Sequence, residues 1–474
     1  MSDSDLEPPE GAPPIPPPPA EDRLDEDDRL KPEFVREVMG LVEAGDSEGA
    51  RELVRPLHPA DLADLFELVD SDDRRALAAS IADELDADVL AEMNDWVREE
   101  LVEALEPAAV AEIAGEMETD DAVAMIEDLE EDEQRAVLRA LDPDDRAAIE
   151  EALSFPEESA GRLMQRDLIA VPEHWTVGHV IDWLRSGEGL ADSFWEVFVV
   201  DERHHPIGTM PLSRILRTPR RVAVAEIMQR EQTLIPVDMD QEEVALRFQK
   251  YALISAAVID QSGRLVGMIT VDDIVHIIQE EASEDALLLS GVGEGDINEP
   301  VIDSYKSRVT WLIANLGTAL VAATIIGMFE ATIERMVALA ALMPIVAGVG
   351  GNAGTQTLAV TVRALATNQL TRSNTMRAIT REIRVACLNG ATVAVLIGLG
   401  VSLFFWNPLL GAVIAAAMMT NIVIAGFAGV MLPVALDRAG ADPAVASSVF
   451  VTMVTDSMGF LVFLGLASES GLVG

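Results

Sequence analysis

The chain has 474 residues, of which 82 are acidic and 33 basic, and its formal net charge at pH 7 is −49. Because binding to nucleic acid needs a basic surface, this charge excludes nucleic acid as an expected partner. The single cysteine, Cys387, excludes an intrachain disulfide and a thiolate zinc site of the usual kind.

The acidic residues are concentrated before residue 306, where 75 of the 82 lie. A surplus of this size is typical of a solvated protein surface adapted to high salt, as in haloarchaea. The presence of only three lysines in the whole chain favours the same interpretation. Within such a surface, a few convergent carboxylates can still form specific cation sites.

Residues 1–32 are rich in Pro, Asp and Glu, and they predict a disordered tail. Residues 33–153 predict short amphipathic helices that start at Asp or Pro. The segment around His58-Pro59 is repeated 48 residues later around Glu106-Pro107. This repeat favours a stack of helix pairs, and the alternative is that helix-starting prolines recur by chance.

A second repeat lies in residues 154–278. Each half predicts a β-hairpin with flanking helices, and the offset is 59 residues both from Asp201 to Asp260 and from Gly208 to Gly267. The pattern alone predicts two α/β repeats. It resembles a tandem pair of cystathionine-β-synthase-type (CBS) domains, and that resemblance implies a sensing module for metal ions or adenine nucleotides, with ATP as a candidate ligand.

Residues 279–305 predict a connecting helix with several acidic residues. Glu281 and Asp285 are four residues apart and Glu284 is beside Asp285, so these carboxylates share a face. Like charges on one face repel each other unless a cation is shared. The alternative is a solvated linker helix in an acidic protein.

From residue 306 onward, five apolar segments each reach the roughly 20 residues that are needed to cross a bilayer. They are residues 309–329, 333–365, 385–405, 409–436 and 444–467. Basic residues favour the loops on one side, with Arg372, Arg377, Arg381 and Arg384 between the second and third segments. The positive-inside bias therefore predicts a multi-pass protein of the cell membrane, with a cytoplasmic N-terminal region and the C-terminus outside.

Asp456 lies in the middle of the last apolar segment. A charge at the centre of a membrane helix costs about 2.5–3.5 kcal/mol on insertion scales, so we expect it to face water, a partner or an ion. An intramembrane metalloprotease would need histidines in the segments, but all six precede them. An aspartyl protease would need a second deep aspartate, and an anion channel would favour a basic pore, so an enzyme is not expected.

The second apolar segment contains a motif rich in Gly and polar residues, at 343–356. This composition predicts backbone loosened against protein or a water-filled cavity. Gly350 and Gly354 form a Gly-x-x-x-Gly pair, so close helix packing is the alternative, and both can hold.

The chain resembles the MgtE-type magnesium transporter family over residues 33–470. The resemblance is carried by the 343–356 motif, by Asn407-Pro408-Leu409-Leu410-Gly411, by Asp442-Pro443-Ala444, and by Val454-Thr455-Asp456 followed by Gly459-Phe460. It implies a multidomain membrane protein with an α-helical superhelical N domain (33–153), an α/β tandem CBS pair (154–278), a plug helix (279–305) and a five-helix transmembrane domain (306–474).

The resemblance also implies a channel-like homodimer, embedded in membrane lipid, that admits Mg²⁺ along the subunit interface. Asp456 matches the metal-binding residue of the pore, with backbone near Gly348 and Gly351 as helpers. Cytoplasmic Mg²⁺ would close the pore through regulatory carboxylates, which are Asp272, Asp273, Glu281, Glu284 and Asp285. His276 departs from this acidic pattern, and the alternative function is transport of another divalent cation, Mn²⁺ or Co²⁺, or a different coupling.

Overall fold

The structure is a computed structural model, and it describes residues 23–186, 194–292, 295, 297–445 and 447–472. The chain divides into two compact units, one up to Ile274 and one from Val275 onward. The helical region and the CBS pair form the first unit. The apolar helices form the second.

The helical region consists of short helices, with one 3₁₀ turn at Ala82–Glu84. The helices are α1 (Pro32–Ala44), α2 (Ser47–Val54), α3 (Pro59–Glu67), α4 (Ser71–Ser80), α5 (Ala87–Ala91), α6 (Asp95–Glu103), α7 (Pro107–Ala114), α8 (Thr119–Glu127), α9 (Glu131–Ala140) and α10 (Pro143–Ala152). Several start at a side-chain cap, as where Asp70 accepts a hydrogen bond from the backbone N–H of Asp73.

A repeat of 60 residues organises these helices. α2, α3 and α4 recur as α7, α8 and α9, each with the same length and a start 60 residues later. The burial pattern is identical over residues 61–70 and 121–130. The side chains of Arg74 and Gln134 also donate to equivalent carbonyls, those of Phe66 and Ile126. The expected stack of repeated helices is therefore present.

The predicted spacing of 48 residues is wrong. It rests on Pro59 and Pro107, which both start helices, α3 and α7. Proline is favoured at the first position of any helix, so two helix-starting prolines need not occupy equivalent places in a repeat.

The prediction of disorder for residues 1–32 is wrong for residues 23–31, whereas residues 1–22 lie outside the described residues. Leu24 and Leu30 form an antiparallel bridge, and both pack against the core that includes Phe34. The guanidinium of Arg23 lies 5.7 Å from the centre of the Phe34 ring. Two leucines in an acidic segment are enough to anchor it because α1 offers an apolar face.

The CBS pair contains two three-stranded sheets, each with one parallel and one antiparallel pairing. The first sheet has β1 (Ala170–Pro172), β2 (Glu196–Val200) and β3 (Pro206–Pro211), and the second has β4 (Leu234–Pro236), β5 (Ser255–Ile259) and β6 (Leu265–Thr270). The helices around them are α11 (Val177–Leu184), α12 (Leu212–Arg217), α13 (Val224–Ile227), α14 (Gln241–Tyr251) and α15 (Val271–Leu289).

The 59-residue repeat is confirmed in detail. Both hairpins shift register at the same place, after Val199 in one and after Val258 in the other. The turns are also built alike, because Asp201 and Asp260 each accept hydrogen bonds from the backbone N–H groups two and four residues later. An Asp at this position therefore holds the turn in both halves.

Each hairpin also pairs with the segment that leads into the other half. Thr209 bridges to Gln229, and Met268 bridges to Gln165. A Cβ on Gly208 would lie 2.7 Å from the Gln229 carbonyl oxygen, and one on Gly267 would lie 2.9 Å from that of Gln165. Glycine at both positions therefore permits the close approach that joins the two halves.

The second unit contains five described helices that are long and apolar enough to cross a membrane. They are α16 (Val301–Gly327), α18 (Ala338–Ala366), α19 (Thr375–Phe404), α20 (Pro408–Ala439) and α21 (Ser447–Glu469), and the short α17 (Glu330–Arg335) precedes α18. α20 packs against α18, α19 and α21. The five predicted segments thus exist, and most are longer than their apolar cores.

The prediction that four arginines lie in the loop between the second and third segments is wrong for three of them. α19 begins at Thr375, so Arg377, Arg381 and Arg384 lie on the helix and only Arg372 lies in the loop. Arginine is a good helix former, and its long side chain carries the charge away from an apolar environment. The apolar stretch alone therefore underestimates the length of the helix.

Candidate functional site

The Gly-rich motif lies within α18, which is helical from Ala338 to Ala366. The expectation of loosened backbone is wrong. Pro344 lies inside the helix and removes the N–H that would bond to the Ala340 carbonyl, yet the helix continues through it. Close packing against neighbouring helices stabilises a helix that composition alone would not favour.

Two glycines of α18 provide this close packing. A Cβ on Gly350 would lie 2.1 Å from Nδ2 of Asn421 in α20, and one on Gly354 would lie 2.5 Å from Cγ1 of Val451 in α21. Any side chain at either position would separate the helices. The Gly-x-x-x-Gly pair is therefore a packing surface.

Gly348 and Gly351 lie on another part of the α18 surface. A Cβ on Gly348 would meet nothing within 4 Å, and one on Gly351 would lie 4.0 Å from Oγ1 of Thr455. Gly351 thus lies beside α21, next to the residue that precedes Asp456. The fold brings Gly351 close to the predicted pore aspartate, and Gly348 is exposed one turn away.

Asp456 is half-buried on α21. Its neighbour Thr455 is fully buried and donates to the Thr452 carbonyl at 3.0 Å. Asp456 forms no salt bridge within the described part of the chain. The carboxylate therefore stands beside the α18–α21 crossing with its charge uncompensated.

Glu382 is a second carboxylate in these helices, and the sequence places it in a loop. It is 8% exposed, pairs with Arg381 and lies two turns into α19. It helps to line a cavity of about 220 Å³ together with Gln356, Thr357 and Asn389. The apolar segment that begins at residue 385 does not include this site near the start of α19.

In the first unit, carboxylates of the helical region gather around Asp273, at the start of α15. Burial and the charge of Asp273 raise the pKa of Glu118 to about 7 and raise that of Asp120 well above its usual range. Burial also raises the pKa of Asp273 to about 6, although Thr270 donates to its carboxylate. Asp272 adds to the repulsion on both Glu118 and Asp273.

Gln165 joins the two sides of this cluster. Its side-chain amide donates to Glu118 and, at 3.4 Å, to Oδ2 of Asp273. Oδ1 of Asp120 is buried and accepts no hydrogen bond from the described residues. The Gln165 amide therefore gives the cluster a hydrogen-bond donor, but no described Arg or Lys pairs with Glu118, Asp120 or Asp273.

The sequence predicts Asp272 and Asp273 but misses Glu118, Asp120 and Asp121. These three occupy the start of α8, where the helix dipole favours acidic residues. Acidic residues at a helix start are the local signal here, but many helices of this chain have them, so the signal does not single out these three. Their role depends on a contact between residues more than 150 positions apart.

Glu281, Glu284 and Asp285 lie further along α15, in the second unit. Burial, with the nearby charge of Asp442, raises the pKa of Asp285. Leu288 and Leu289, just beyond, pack against a cluster that includes Val362 and Ala444. The end of α15 is therefore docked on the loop between α20 and α21, and the predicted regulatory residues fall into two separate groups.

No three His, Cys, Asp or Glu side chains in the described ranges stand together as a ready metal site. Within each of the two sets, around Asp273 and around Asp285, the carboxylates would have to move closer together to coordinate a cation directly. A cation that keeps its water shell needs less rearrangement, since waters bridge the longer distances.

Comparison with known proteins places these features in a family. The MgtE divalent cation transporter model matches residues 343–466, the MgtE intracellular N domain model matches residues 57–158, and the CBS domain model matches residues 224–280. The matches cover most of the helical repeat, the second CBS half and most of the helices around Asp456.

Two curated relatives align over nearly the whole chain. A magnesium transporter MgtE of Thermus thermophilus is 32% identical over 434 residues, which cover 90% of this chain and 96% of the relative. One of Bacillus subtilis is 29% identical over 440 residues, covering 92% and 97%. A crystal structure of the cytosolic domain of the Mg²⁺ channel MgtE in complex with ATP is 29% identical, covers 51% of this chain and 99% of that chain, and has a TM-score of 0.47.

Proposed function

This chain belongs to the MgtE family, and from that membership we propose that it carries Mg²⁺ across the cell membrane through its five-helix unit. The position of Asp456 is the observation that supports this proposal most directly. Its uncompensated carboxylate lies beside the crossing of α18 and α21, where Gly351 leaves space near Thr455. Mg²⁺ sheds water reluctantly and is commonly held by one or two carboxylates plus waters, so a single carboxylate per chain suits it.

The two glycines named as backbone helpers have different roles in this proposal. The Gly351 carbonyl accepts a hydrogen bond from Oγ1 of Thr355 at 3.0 Å, in addition to the helical bond expected from the Thr355 N–H. Both of its lone pairs are then used, so Gly351 acts by giving space. The Gly348 carbonyl is the better candidate for contact with the hydrated ion.

The homodimer is part of the proposal because α18 exposes an unusual face. Most of its exposed residues follow helical spacing and lack a large apolar side chain, namely Pro344, Gly348, Asn352, Thr355 and Gln356, although Ile345 and Val360 are exposed at its edges. Such a face is poorly suited to lipid. A second copy of the chain would cover it and would supply a second Asp456 to the same path.

Regulation by cytoplasmic Mg²⁺ is proposed from the two carboxylate groups. In the first unit Glu118, Asp120 and Asp273 repel one another, and in the second unit Asp285 and Asp442 do so. A divalent cation would favour the arrangement in which each group is closest, and its loss would favour separation. Mg²⁺ bound at Asp272, Asp273, Glu281, Glu284 and Asp285 would thus stabilise the closed state, and ATP at the CBS pair stays a prediction.

Orientation in the membrane is proposed from the arginines. Arg363, Arg372, Arg377, Arg381 and Arg384 flank the connection between α18 and α19, whereas Arg335 is the only arginine or lysine in the α16–α18 connection. This asymmetry supports a cytoplasmic first unit and a C-terminus outside.

The proposed path is tested by Mg²⁺ flux into liposomes that contain a Mg²⁺-sensitive dye. Asp456→Ala should reduce the initial rate by about a hundredfold or more, on the scale of losing a central charge contact. Glu469→Ala removes a carboxylate at the end of the same helix and should retain the wild-type rate. Full flux in Asp456→Ala, with protein of normal elution volume, would refute the path.

A further inference from the structure

Asn421 is a fully buried amide at the point where α18, α20 and α21 meet. Its Nδ2 donates to the Val346 carbonyl of α18 at 3.1 Å. Its Oδ1 is also buried and accepts no hydrogen bond from the part of the chain that the structure describes. An unsatisfied acceptor in this environment is destabilising, so simple packing would be served better by an apolar residue of similar size.

Glycines of two helices enclose this amide. A Cβ on Gly350 of α18 would lie 2.1 Å from Nδ2 of Asn421, and one on Gly459 of α21 would lie 2.7 Å from the same atom. Asn421 is therefore the group that requires glycine at both positions. The side chain sets how closely α18 and α21 approach.

Both glycines are next to the proposed ion path. Gly350 precedes Gly351, whose backbone faces Thr455, and Gly459 follows Asp456 by three residues, slightly less than one turn. A displacement of α21 relative to α18 at Asn421 therefore also displaces the Asp456 carboxylate relative to Gly348 and Gly351.

We propose that Asn421 is a positioning residue, which fixes the spacing of α18 and α21 and thereby the position of Asp456 along the ion path. This inference rests on the proposed function. Asn421 does not contact the ion. It acts through the hydrogen bond to Val346 and through its volume between Gly350 and Gly459.

The experiment combines size-complementary substitutions in the full-length protein. Gly350→Ala places a methyl group against Asn421 and should lower Mg²⁺ flux by about tenfold, the effect of an overpacked contact. Adding Asn421→Ala removes the clash and should return the flux to the level of Asn421→Ala alone. Gly354→Ala is the matched control, since its methyl group would meet Val451 and Asn421→Ala should not rescue it.

A second readout separates positioning from general helix association. Asn421→Ala should change the half-saturating Mg²⁺ concentration and the ratio of Mg²⁺ to Co²⁺ flux, which do not depend on the amount of folded protein. Elution volume and melting temperature report the fold. If Asn421→Ala does not elute as folded protein, Asn421→Ser replaces it with the same readouts.

A double variant whose flux stays well below that of Asn421→Ala alone, or unchanged half-saturation and ion ratio in folded Asn421→Ala, would overturn the inference. Asp456→Ala is measured alongside. If Asp456→Ala abolishes flux but Asn421→Ala fails to rescue Gly350→Ala, the positioning role of Asn421 is refuted and the proposed ion path is not. If Asp456→Ala retains full flux, the proposed path fails and the inference falls with it.

Discussion

The two units of this protein use carboxylates in opposite ways. The second unit places Asp456 in the middle of an apolar helix, without a salt bridge to any described residue, whereas the first is acidic throughout and brings several carboxylates together around Asp273. In the apolar unit, the type of residue alone makes Asp456 a candidate. In the acidic unit, the proximity of Glu118 to Asp273 distinguishes the candidate carboxylates from the solvated surface.

The comparison also separates two ways of stabilising a charged group. In the first unit, the guanidinium of the buried Arg74 has three partners. It donates to the carbonyls of Phe66 and Val69 and pairs with Glu100. Asp456 forms no salt bridge with any residue that the structure describes. Arg74 is thus satisfied within the fold, whereas the carboxylate proposed to serve transport has no such partner there.

The largest effect on stability should come from Arg74. Replacing it with Ala removes a buried guanidinium that donates to the carbonyls of Phe66 and Val69 and pairs with the partly exposed Glu100, so we expect Arg74→Ala to destabilise the helical region by about 2–3 kcal/mol. Thermal and urea unfolding of the full-length protein, followed by hydrogen exchange in α4, would measure this loss. Arg135→Ala, at an exposed position of α9, should change stability by about 0.5 kcal/mol or less. Equal effects of both would show that Arg74 is an ordinary surface charge.

A smaller effect should come from the docked end of α15. Changing Glu281, Glu284 and Asp285 together to amides reduces the repulsion against Asp442, so the protease resistance of α15 should depend less on Mg²⁺. Limited proteolysis over a series of Mg²⁺ concentrations would give the Mg²⁺ concentration at which α15 is half protected. Amide substitutions at the exposed Asp132 and Glu133 of α9 form the control. An unchanged midpoint in the triple variant would identify these residues as solvated charge.

The smallest effect should be a pH dependence of the contact around Asp273. The folded pKa values of Glu118 and Asp273, about 7 and about 6, exceed their ordinary values of 4.5 and 3.8. The folded state therefore holds these protons more tightly. Stability from this contact is fully present below about pH 4 and is lost as the pH rises through 6 to 7.

Hydrogen exchange in α8 of the full-length protein, between pH 5 and 7.5, would measure that loss. Glu118→Gln should reduce the slope, and Mg²⁺ should restore protection at pH 7.5 in the wild type. Protection that increases with pH, in the absence of divalent cations, would contradict the assignment.

Much of the fold can be predicted from the sequence where a pattern is strictly local. The hairpins around Asp201 and Asp260 can be predicted because the hydrogen bonds that hold each turn lie within five consecutive residues. The five apolar helices follow from length and hydropathy. The 48-residue spacing fails for a related reason, since a helix-starting proline is a local signal that many helices share and does not report the period of a repeat.

The site could be predicted only in part. Asp456 stands out because charge is rare in apolar helices, whereas Asn421 does not, because a neutral amide among apolar residues has no pattern to mark it. Its importance appears only when Gly350 and Gly459 are found against it. Glu118 has no local signal either, since Asp273, the carboxylate near it, is distant in sequence.

Asp456 is proposed to hold a hydrated divalent cation through one intervening water. The most direct measurement is anomalous diffraction from crystals of the full-length protein grown with Mn²⁺, which has a similar preference for oxygen ligands. We predict a peak about 4–5 Å from the Asp456 carboxylate, the distance set by one intervening water, and its loss in Asp456→Asn. An Asp456 side chain turned toward lipid, or bonded to a neighbouring helix with no peak beside it, would refute this role of Asp456.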